Sequence, residues 1–284
     1  MKKLRRPVVA GYFYPRDKED LIEMIEWSFK HRLGPGKTPS LNKTRKHNIL
    51  GFIVPHAGYT YSGPIAAHSY YEAASEGVPE TVVILGTNHT GYGKPVSIYP
   101  EGVWETPLGW LEVDSELGEK IAELSEIADI DEYAHLEEHS IEVQLPFIQY
   151  IYGDKVKILP IVIGVHTPEL ASDVSAAIEN AVRSLNRDVI IISSSDFTHY
   201  EPHETALEKD RAAINEILEL DTNGFYRVVI EENVTICGPG GIMTIMEMAK
   251  SAGAKAALLK HATSGEIGGD KSSVVGYATI KFYK

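Results

Sequence analysis

The sequence predicts an α/β fold, with one domain over residues 1–284 and a central, mostly parallel sheet flanked by helices. Two observations support this prediction. Short apolar runs of strand length alternate with longer segments of helical periodicity along most of the chain. Residues 49–85 also read as strand, helix and strand, a βαβ unit that implies parallel strands joined by a right-handed crossover.

The composition narrows the classes of protein to consider. Of 284 residues, 43% are hydrophobic, which is enough to fill a large core. No apolar run approaches the ~20 residues of a membrane helix, and the basic start lacks the apolar core of a signal peptide. The net charge of −13 disfavours binding to nucleic acid or to anionic membranes. With a single cysteine, Cys237, no intrachain disulfide forms, and we expect a cytoplasmic protein.

Each predicted element follows from a local pattern. Apolar positions at helical spacing predict helices at residues 17–31, 64–74, 114–124, 141–148, 167–185 and 237–249, and two more within 204–231. Apolar or β-rich runs predict strands at residues 49–54, 81–85, 157–164, 188–192, 256–259 and 274–283. The short segments 96–99 and 109–113, separated by Pro and Gly, predict a β-hairpin that carries Trp104 and Trp110.

Two prolines and the last strand give the most specific structural expectations. Pro64 is expected in the first turn of its helix, where proline is well tolerated. Pro146 is expected to kink or shorten the helix that contains it, because it lacks an N–H. The strand over 274–283 is expected at an antiparallel edge of the sheet.

Three predicted strands each lead into a loop that carries a histidine. His56 follows the strand over 49–54, His89 follows the strand over 81–85, and His199 follows the strand over 188–192. A single loop histidine is more often a surface residue. Open α/β sheets, however, bind ligands at the carboxyl ends of their strands. Three histidines in the same position relative to a strand therefore predict one shared site.

Cys237 adds a thiol to this set. It precedes Gly-Pro-Gly-Gly at the predicted start of a helix, where the helix dipole favours a thiolate. A lone cysteine is otherwise a small buried hydrophobe. Because imidazole and thiolate both bind transition metals, His56, His89 and Cys237 form a candidate metal site with room for a fourth ligand. No short zinc-type motif links the three, so the residues alone leave the presence of a metal open.

Further polar residues near the strand ends suggest catalytic roles. Asp196 and His199 form an Asp-x-x-His pair, in which the carboxylate orients an imidazole that acts as a general base or supports a metal. The alternative is a helix cap at Asp196 and a surface histidine. His139 has the same two interpretations, with Ser140 as a helix cap beside it. The serines at 193–195 lie outside any Gly-x-Ser-x-Gly elbow, so a serine nucleophile is not expected.

Six motifs, in order along the chain, resemble the Memo family. They are PHAGYTYSG (55–63), GTNH (86–89), EHSIEVQLPF (138–147), SSSDFTHY (193–200), ICGPGG (236–241) and SSVVGYA (272–278). The similarity extends from Arg6 to the C-terminal strand. The family is named for a mediator of ErbB2-driven cell motility, and its prokaryotic members are called AmmeMemoRadiSam system protein B.

The resemblance implies the fold of the class III, extradiol-type non-haem iron dioxygenases. It also implies a metal pocket whose ligands match His56, His89 and Cys237, with Asp196, His199 and His139 as further pocket residues. A thiolate here takes the place of the carboxylate ligand of ring-cleaving enzymes, which makes ordinary ring cleavage unfavourable. We expect a copper or iron ion, with zinc as the alternative.

The resemblance leaves two functions open. The first is a metal-dependent redox protein or oxidoreductase that uses copper or iron in the two-His, one-Cys pocket. The second is a non-catalytic module that binds a peptide or an anionic ligand in a signalling or accessory role. Prokaryotic relatives are associated with a radical-SAM protein and an AMME-type protein, which are the expected protein partners beside a small-molecule or peptide ligand.

Overall fold

The computed structural model describes residues 3–284. Its helices are α1 (Lys18–Lys30), α2 (Tyr59–Glu76), α3 (Ser115–Leu124), α4 (Leu145–Tyr152), α5 (Pro168–Leu185), α6 (His203–Leu218), α7 (Thr222–Glu231), α8 (Pro239–Ser251) and α9 (Gly265–Gly268). Its strands are β1 (Leu4–Arg5), β2 (Ile49–Val54), β3 (Thr81–Thr87), β4 (Val96–Ile98), β5 (Val103–Thr106), β6 (Gly109–Glu112), β7 (Ala128–Ile130), β8 (Lys157–Ile163), β9 (Val189–Ser194), β10 (His199–Glu201), β11 (Lys255–Thr263) and β12 (Val274–Tyr283). Short 3₁₀ helices cover Tyr133–His135 and Glu142–Gln144.

Most of the strands form one mixed sheet in the order β10-β12-β2-β9-β3-β8-β4-β7, and β11 pairs with β12. The central strands β2, β9, β3 and β8 are parallel to one another. On the flanks, β12 runs antiparallel to β2, and β4 runs antiparallel to β8. Strands β1, β5 and β6 form a separate three-stranded sheet. The predicted α/β class, with a parallel centre flanked by helices, is confirmed.

The central strands are buried because helices cover them. All seven residues of β3 are buried, and α2 and α8 both pack against strands of the sheet. Such continuous apolar strands are typical of parallel sheets covered on both faces. Within residues 3–284, no helix combines the length and the apolarity that crossing a bilayer requires. The assignment of residues 1–284 to one domain stays a prediction.

The structure corrects the expectations for both prolines and for the last strand. Helix α2 begins at Tyr59, so Pro64 lies inside the helix rather than in its first turn. Pro146 lies in the first turn of α4, where a missing N–H breaks no helical hydrogen bond, and it does not kink the helix. Strand β12 is not an edge strand, since it pairs with β2 as well as with β10 and β11.

The predicted hairpin is also corrected. Strand β4 joins the main sheet between β8 and β7, and the hairpin is formed by β5 and β6. The three residues of β4 are all buried. Burial of a whole strand requires neighbouring strands or helices on both faces, which an isolated hairpin does not have. Trp104 is buried in β5, whereas Trp110 on β6 is 66% exposed.

Candidate metal centre

The carboxyl ends of the central parallel strands open onto one cavity. Val54 of β2 pairs with Ser194 of β9, and Leu85 of β3 pairs with Ser193, so the loops after these strands start at nearly the same level. The cavity has a volume of about 450 Å³. It is lined by Phe13, His56, Ala57, Gly58, His89, His139, Asp196, His199, Tyr200, Thr235, Cys237 and Val275. The structure therefore brings all six residues predicted for the site around one space, while their individual roles stay predictions.

Three imidazoles form the centre of this cavity. One ring nitrogen from each of His56, His89 and His139 lies within 4.8 Å of the other two. The rings of His89 and His139 are stacked, with centroids 4.6 Å apart, and the ring of His56 stands nearly perpendicular to both. Because the three nitrogens converge from different directions, the cluster has the donor chemistry of a metal site. His139, which the sequence assigned to catalysis, belongs to this cluster.

The backbone N–H and both ring nitrogens of His56 have polar partners. Its backbone N–H donates to Asp196 Oδ1 at 2.8 Å, its Nδ1 lies 3.0 Å from Ser194 Oγ, and its Nε2 lies 3.2 Å from Cys237 Sγ. Burial, followed by the neighbouring imidazoles of His139 and His89, lowers the pKa of His56 well below its ordinary value. The ring is therefore neutral at physiological pH, which is the form that binds a metal.

His89 is oriented by a buried carboxylate. Its Nδ1 lies 2.9 Å from Glu138 Oε1, and its backbone N–H donates to Glu138 Oε2 at 2.7 Å. The backbone N–H groups of His139 and Ser140 also donate to Glu138. Burial alone would raise the pKa of Glu138, but the hydrogen bond and the charge of His89, with these N–H groups, hold it at about 2. Burial lowers the pKa of His89, but the hydrogen bond and the charge of Glu138 outweigh burial and raise it above its ordinary value. The carboxylate accepts the Nδ1 hydrogen, so Nε2 is the nitrogen that binds an ion once the ion displaces its proton.

Cys237 lies directly before helix α8, as predicted, but the expected thiolate is wrong for the metal-free chain. Burial, and then the nearby Asp196 carboxylate, raise the pKa of the Cys237 thiol and outweigh the effect of the helix start. The Asp196 backbone N–H donates to Cys237 Sγ at 3.2 Å. The sulfur therefore carries a proton unless a cation replaces it. A ligand role for Cys237 stays a prediction.

Asp196 and His199 line the same cavity, but they do not form the predicted hydrogen-bonded pair among residues 3–284. Asp196 accepts from His56, and burial raises the pKa of its carboxyl group to about 6. His199 Nδ1 lies 2.8 Å from the carbonyl oxygen of Thr235. A carbonyl only accepts, so Nδ1 carries a hydrogen, and the neutral ring of His199 has its lone pair on Nε2. The carboxylate thus holds the backbone of His56, and the Thr235 carbonyl orients the ring of His199.

Sequence reasoning missed several residues of the cavity. The ring of Phe13 lies 4.6 Å from that of His139 and covers one side of the cluster. Tyr200 is 79% exposed at the rim and has a left-handed backbone, with φ of 60°. Phe13 lies in the amino-terminal stretch of the Memo resemblance, which was the available signal. Tyr200 is the last residue of the SSSDFTHY motif of the same resemblance.

The fold and the cavity together define an α/β protein with a histidine-rich, metal-binding type of site at the carboxyl edge of its sheet. A family model described as Memo-like protein matches residues 5–281. The chain therefore belongs to the Memo-like family, and the resemblance of its sequence motifs is confirmed.

Relatives match along the entire chain. A MEMO1 family protein of Desulfurococcus amylolyticus is 62% identical over 283 residues and covers 100% of both chains. One of Ignicoccus hospitalis is 51% identical, with 98% of each chain covered, and one of Sulfurisphaera tokodaii is 53% identical, with 98% of this chain and 99% of that one covered. The crystal structure of an uncharacterized protein from Escherichia coli K12 matches with a TM-score of 0.54 at 10% identity, covering 82% of this chain and 99% of that chain, and shows the shared fold alone.

Proposed function

We propose that this protein binds one copper or iron ion at His56, His89 and His139 and serves as a metal-dependent redox protein. The observation that carries the proposal is the convergence of three imidazole nitrogens within 4.8 Å of one another. Two of these rings are already oriented by buried outer partners, Ser194 for His56 and Glu138 for His89. Ligating histidines are typically held in this way by a group on their second nitrogen.

The donor set fits the proposed ion. Imidazole suits copper, iron and zinc alike, and a thiolate adds preference for softer ions. Cys237 Sγ lies 3.2 Å from His56 Nε2, so it is available as a further ligand once a cation displaces its proton. A bound copper or iron ion supplies one-electron redox chemistry, which zinc does not.

The residues around the ion give the cavity its other properties. The neutral ring of His199 has its lone pair on Nε2 and in that form offers a proton acceptor beside the cluster. Phe13 packs its ring against that of His139 and places an apolar surface on that side of the cluster. A volume of about 450 Å³ suits a small molecule or a single side chain better than an extended peptide.

The first test is metal content. Untagged protein, stripped and then reconstituted with Fe(II) or with copper, is expected to retain one ion per chain by mass spectrometry. His56→Ala is expected to retain almost none. His47→Asn is a matched control, because His47 is an exposed histidine with a left-handed backbone that asparagine also adopts. A wild-type protein that holds no more metal than His56→Ala would contradict the proposal.

The ligand set is tested separately. We expect Cys237→Ser to bind metal more weakly but still to bind it, because three imidazoles remain. Complete loss of binding in Cys237→Ser, with His139→Ala unaffected, would instead support the ligand set predicted from the sequence.

The redox role needs its own measurement. With ascorbate as the electron donor and O₂ as the acceptor, the rate of oxygen consumption is expected to follow the amount of bound copper or iron. If the loaded protein consumes oxygen no faster than the stripped protein, the redox role fails. The alternative is then a non-catalytic module that binds a peptide or an anionic ligand in the same cavity.

A further inference from the structure

A buried chain of polar side chains lies directly behind His56. Tyr70, Gln144 and Ser194 are each at most 1% exposed. The Tyr70 hydroxyl lies 2.6 Å from Gln144 Oε1, and Gln144 Nε2 lies 2.8 Å from Ser194 Oγ. Ser194 Oγ in turn lies 3.0 Å from His56 Nδ1. These contacts connect the interior of the fold to a residue of the imidazole cluster.

Neighbouring groups that can only donate or only accept determine the direction of each hydrogen bond in this series of side chains. Gln144 Nε2 also lies 3.0 Å from the carbonyl oxygen of Pro55, which can only accept. The amide nitrogen must therefore face Pro55 and Ser194, and the amide oxygen must face Tyr70. Tyr70 is a protonated donor, since burial raises the pKa of its hydroxyl. No other orientation of the Gln144 amide satisfies all three contacts.

Ser194 has one hydroxyl hydrogen, and the acceptor of that hydrogen is also determined. The Oγ atom lies 2.6 Å from the carbonyl oxygen of Ser140, which again can only accept. The hydrogen is therefore donated to Ser140. The two lone pairs of Oγ accept one hydrogen from Gln144 Nε2 and one from His56 Nδ1.

We propose that Ser194, oriented by Gln144, is a positioning residue that holds His56 in the tautomer with hydrogen on Nδ1. Nε2 then carries the lone pair and faces Cys237 Sγ and the centre of the imidazole cluster. The tautomer is a property of the metal-free chain. Only its consequence for metal affinity rests on the proposed function. The role of Ser194 is thus distinct from a nucleophile, the role that its serine-rich run first suggests.

His89 is oriented in the same way as His56, through a hydrogen bond at Nδ1, but its partner is a different kind of group. Its Nδ1 is held by the carboxylate of Glu138, whereas the Nδ1 of His56 is held by a neutral hydroxyl. Both partners leave Nε2 as the nitrogen that faces the cavity. Two histidines from different strand ends are therefore oriented by two different buried groups, and Ser140 is hydrogen-bonded to both of these groups.

The test is the tautomer of His56 in metal-free protein labelled with ¹⁵N-histidine. A long-range ¹H–¹⁵N spectrum distinguishes a protonated ring nitrogen from an unprotonated one, and His56→Asn identifies the His56 signals by their loss. Wild-type protein is expected to show a protonated Nδ1 and an unprotonated Nε2. A protonated Nε2 in the wild-type protein would overturn the proposal without any variant.

Ser194→Ala removes the acceptor for Nδ1 and is expected to shift His56 to a mixture of tautomers. Ser193→Ala is the matched control, because Ser193 is equally buried but its Oγ has no hydrogen-bond partner among residues 3–284. An unchanged tautomer in folded Ser194→Ala would count against the proposal, as would an equal shift in Ser193→Ala.

Metal affinity gives a second and separate readout. If the proposed metal site is correct, Ser194→Ala is expected to bind Co(II), used as a spectroscopic probe, about 10-fold to 100-fold more weakly than Ser193→Ala. If neither the wild-type protein nor Ser193→Ala binds Co(II), copper or iron, the proposed function fails. The tautomer result then still decides the inference about Ser194.

Discussion

The strand ends and the loop over residues 131–144 build the same site in different ways. His56 lies two residues after the end of β2, and His89 lies two residues after the end of β3, so the register of the parallel sheet places both. His139 comes from the 131–144 loop, which runs from the end of β7 to the start of α4 and contains two 3₁₀ helices but no strand. Sheet pairing cannot place this loop.

Buried charges hold the loop instead. Arg5 donates to the carbonyl oxygen of Glu138 at 2.7 Å and forms an ion pair with Glu142. Glu142 also accepts hydrogen bonds from the backbone of Val8 and from the Tyr14 hydroxyl. The amino-terminal segment that carries Phe13 is therefore tied to the loop that carries His139. The comparison teaches that strand pairing in a continuous sheet places one half of the site, while side-chain contacts, both charged and neutral, place the other half.

The largest effect is expected when the buried pair in the loop is broken. Glu142→Gln keeps the shape of the side chain but leaves Arg5 as a buried charge without its partner, which costs roughly 3–5 kcal/mol of unfolding free energy. Denaturant unfolding of the stripped protein measures this loss. Glu137→Gln, at an exposed position of the same loop, is expected to change the unfolding free energy by less than about 0.5 kcal/mol. A loss of the same small size in Glu142→Gln would show that the loop does not depend on this charge.

A smaller effect is expected when the outer partner of a strand-end ligand is changed. Glu138→Gln keeps an acceptor for His89 Nδ1 but removes the carboxylate charge, so metal affinity is expected to fall about 10-fold to 100-fold. His89→Ala, which removes the ligand itself, is expected to lose more. Competition with a chelator at fixed pH measures both, and Glu137→Gln again serves as the control. Equal affinities of Glu138→Gln and the wild-type protein would mean that the sheet alone orients His89.

The sequence predicted the sheet half of the site better than the loop half, and the reason is physical. Strand β2 was predicted with the bounds that the structure has, because a buried parallel strand is a continuous apolar run. The histidines that follow β2 and β3 were found from the same local signal. Convergence on one cavity followed from the rule that strand ends share an edge.

The remaining features depend on contacts between distant parts of the chain. The thiolate expectation for Cys237 failed because burial and Asp196, which no local pattern reveals, oppose the helix start. The Asp196 carboxylate was paired with His199 by sequence spacing, but it accepts a hydrogen bond from the backbone N–H of His56, which follows the neighbouring strand. Ser194 and Gln144 carry no local signal for a role in orienting His56. The role of such a residue can be assigned only when the hydrogen-bond partner of each of its polar atoms is known from the structure.

The smallest of the expected effects comes from His135 in the 131–144 loop. This residue is fully buried, and among residues 3–284 neither of its ring nitrogens has a hydrogen bond of good geometry, although backbone groups of Asp131 and Pro160 lie near the ring. Burial, followed by the charge of Arg5, lowers its pKa from 6.5 to about 3. Above pH 6.5 the ring is neutral in both the folded and the unfolded chain, so it adds no pH dependence to stability. Below pH 6.5 His135 binds a proton in the unfolded chain but not in the folded chain. The folded state therefore loses stability as the pH falls, until the pH approaches 3.

His135→Phe removes the imidazole that takes up a proton in the unfolded chain, together with its two buried nitrogens. Each pH unit below 6.5 costs the wild-type protein at most about 1.4 kcal/mol through His135, or roughly 2 kcal/mol at pH 5. We therefore expect the unfolding free energy of His135→Phe to fall less steeply than that of the wild-type protein between pH 7 and pH 5. The other histidines titrate in both proteins, so the difference between the two curves isolates His135. Parallel curves would mean that the loop opens to water at His135, and that the contacts of Arg5 and Glu142 do not keep this half of the site closed.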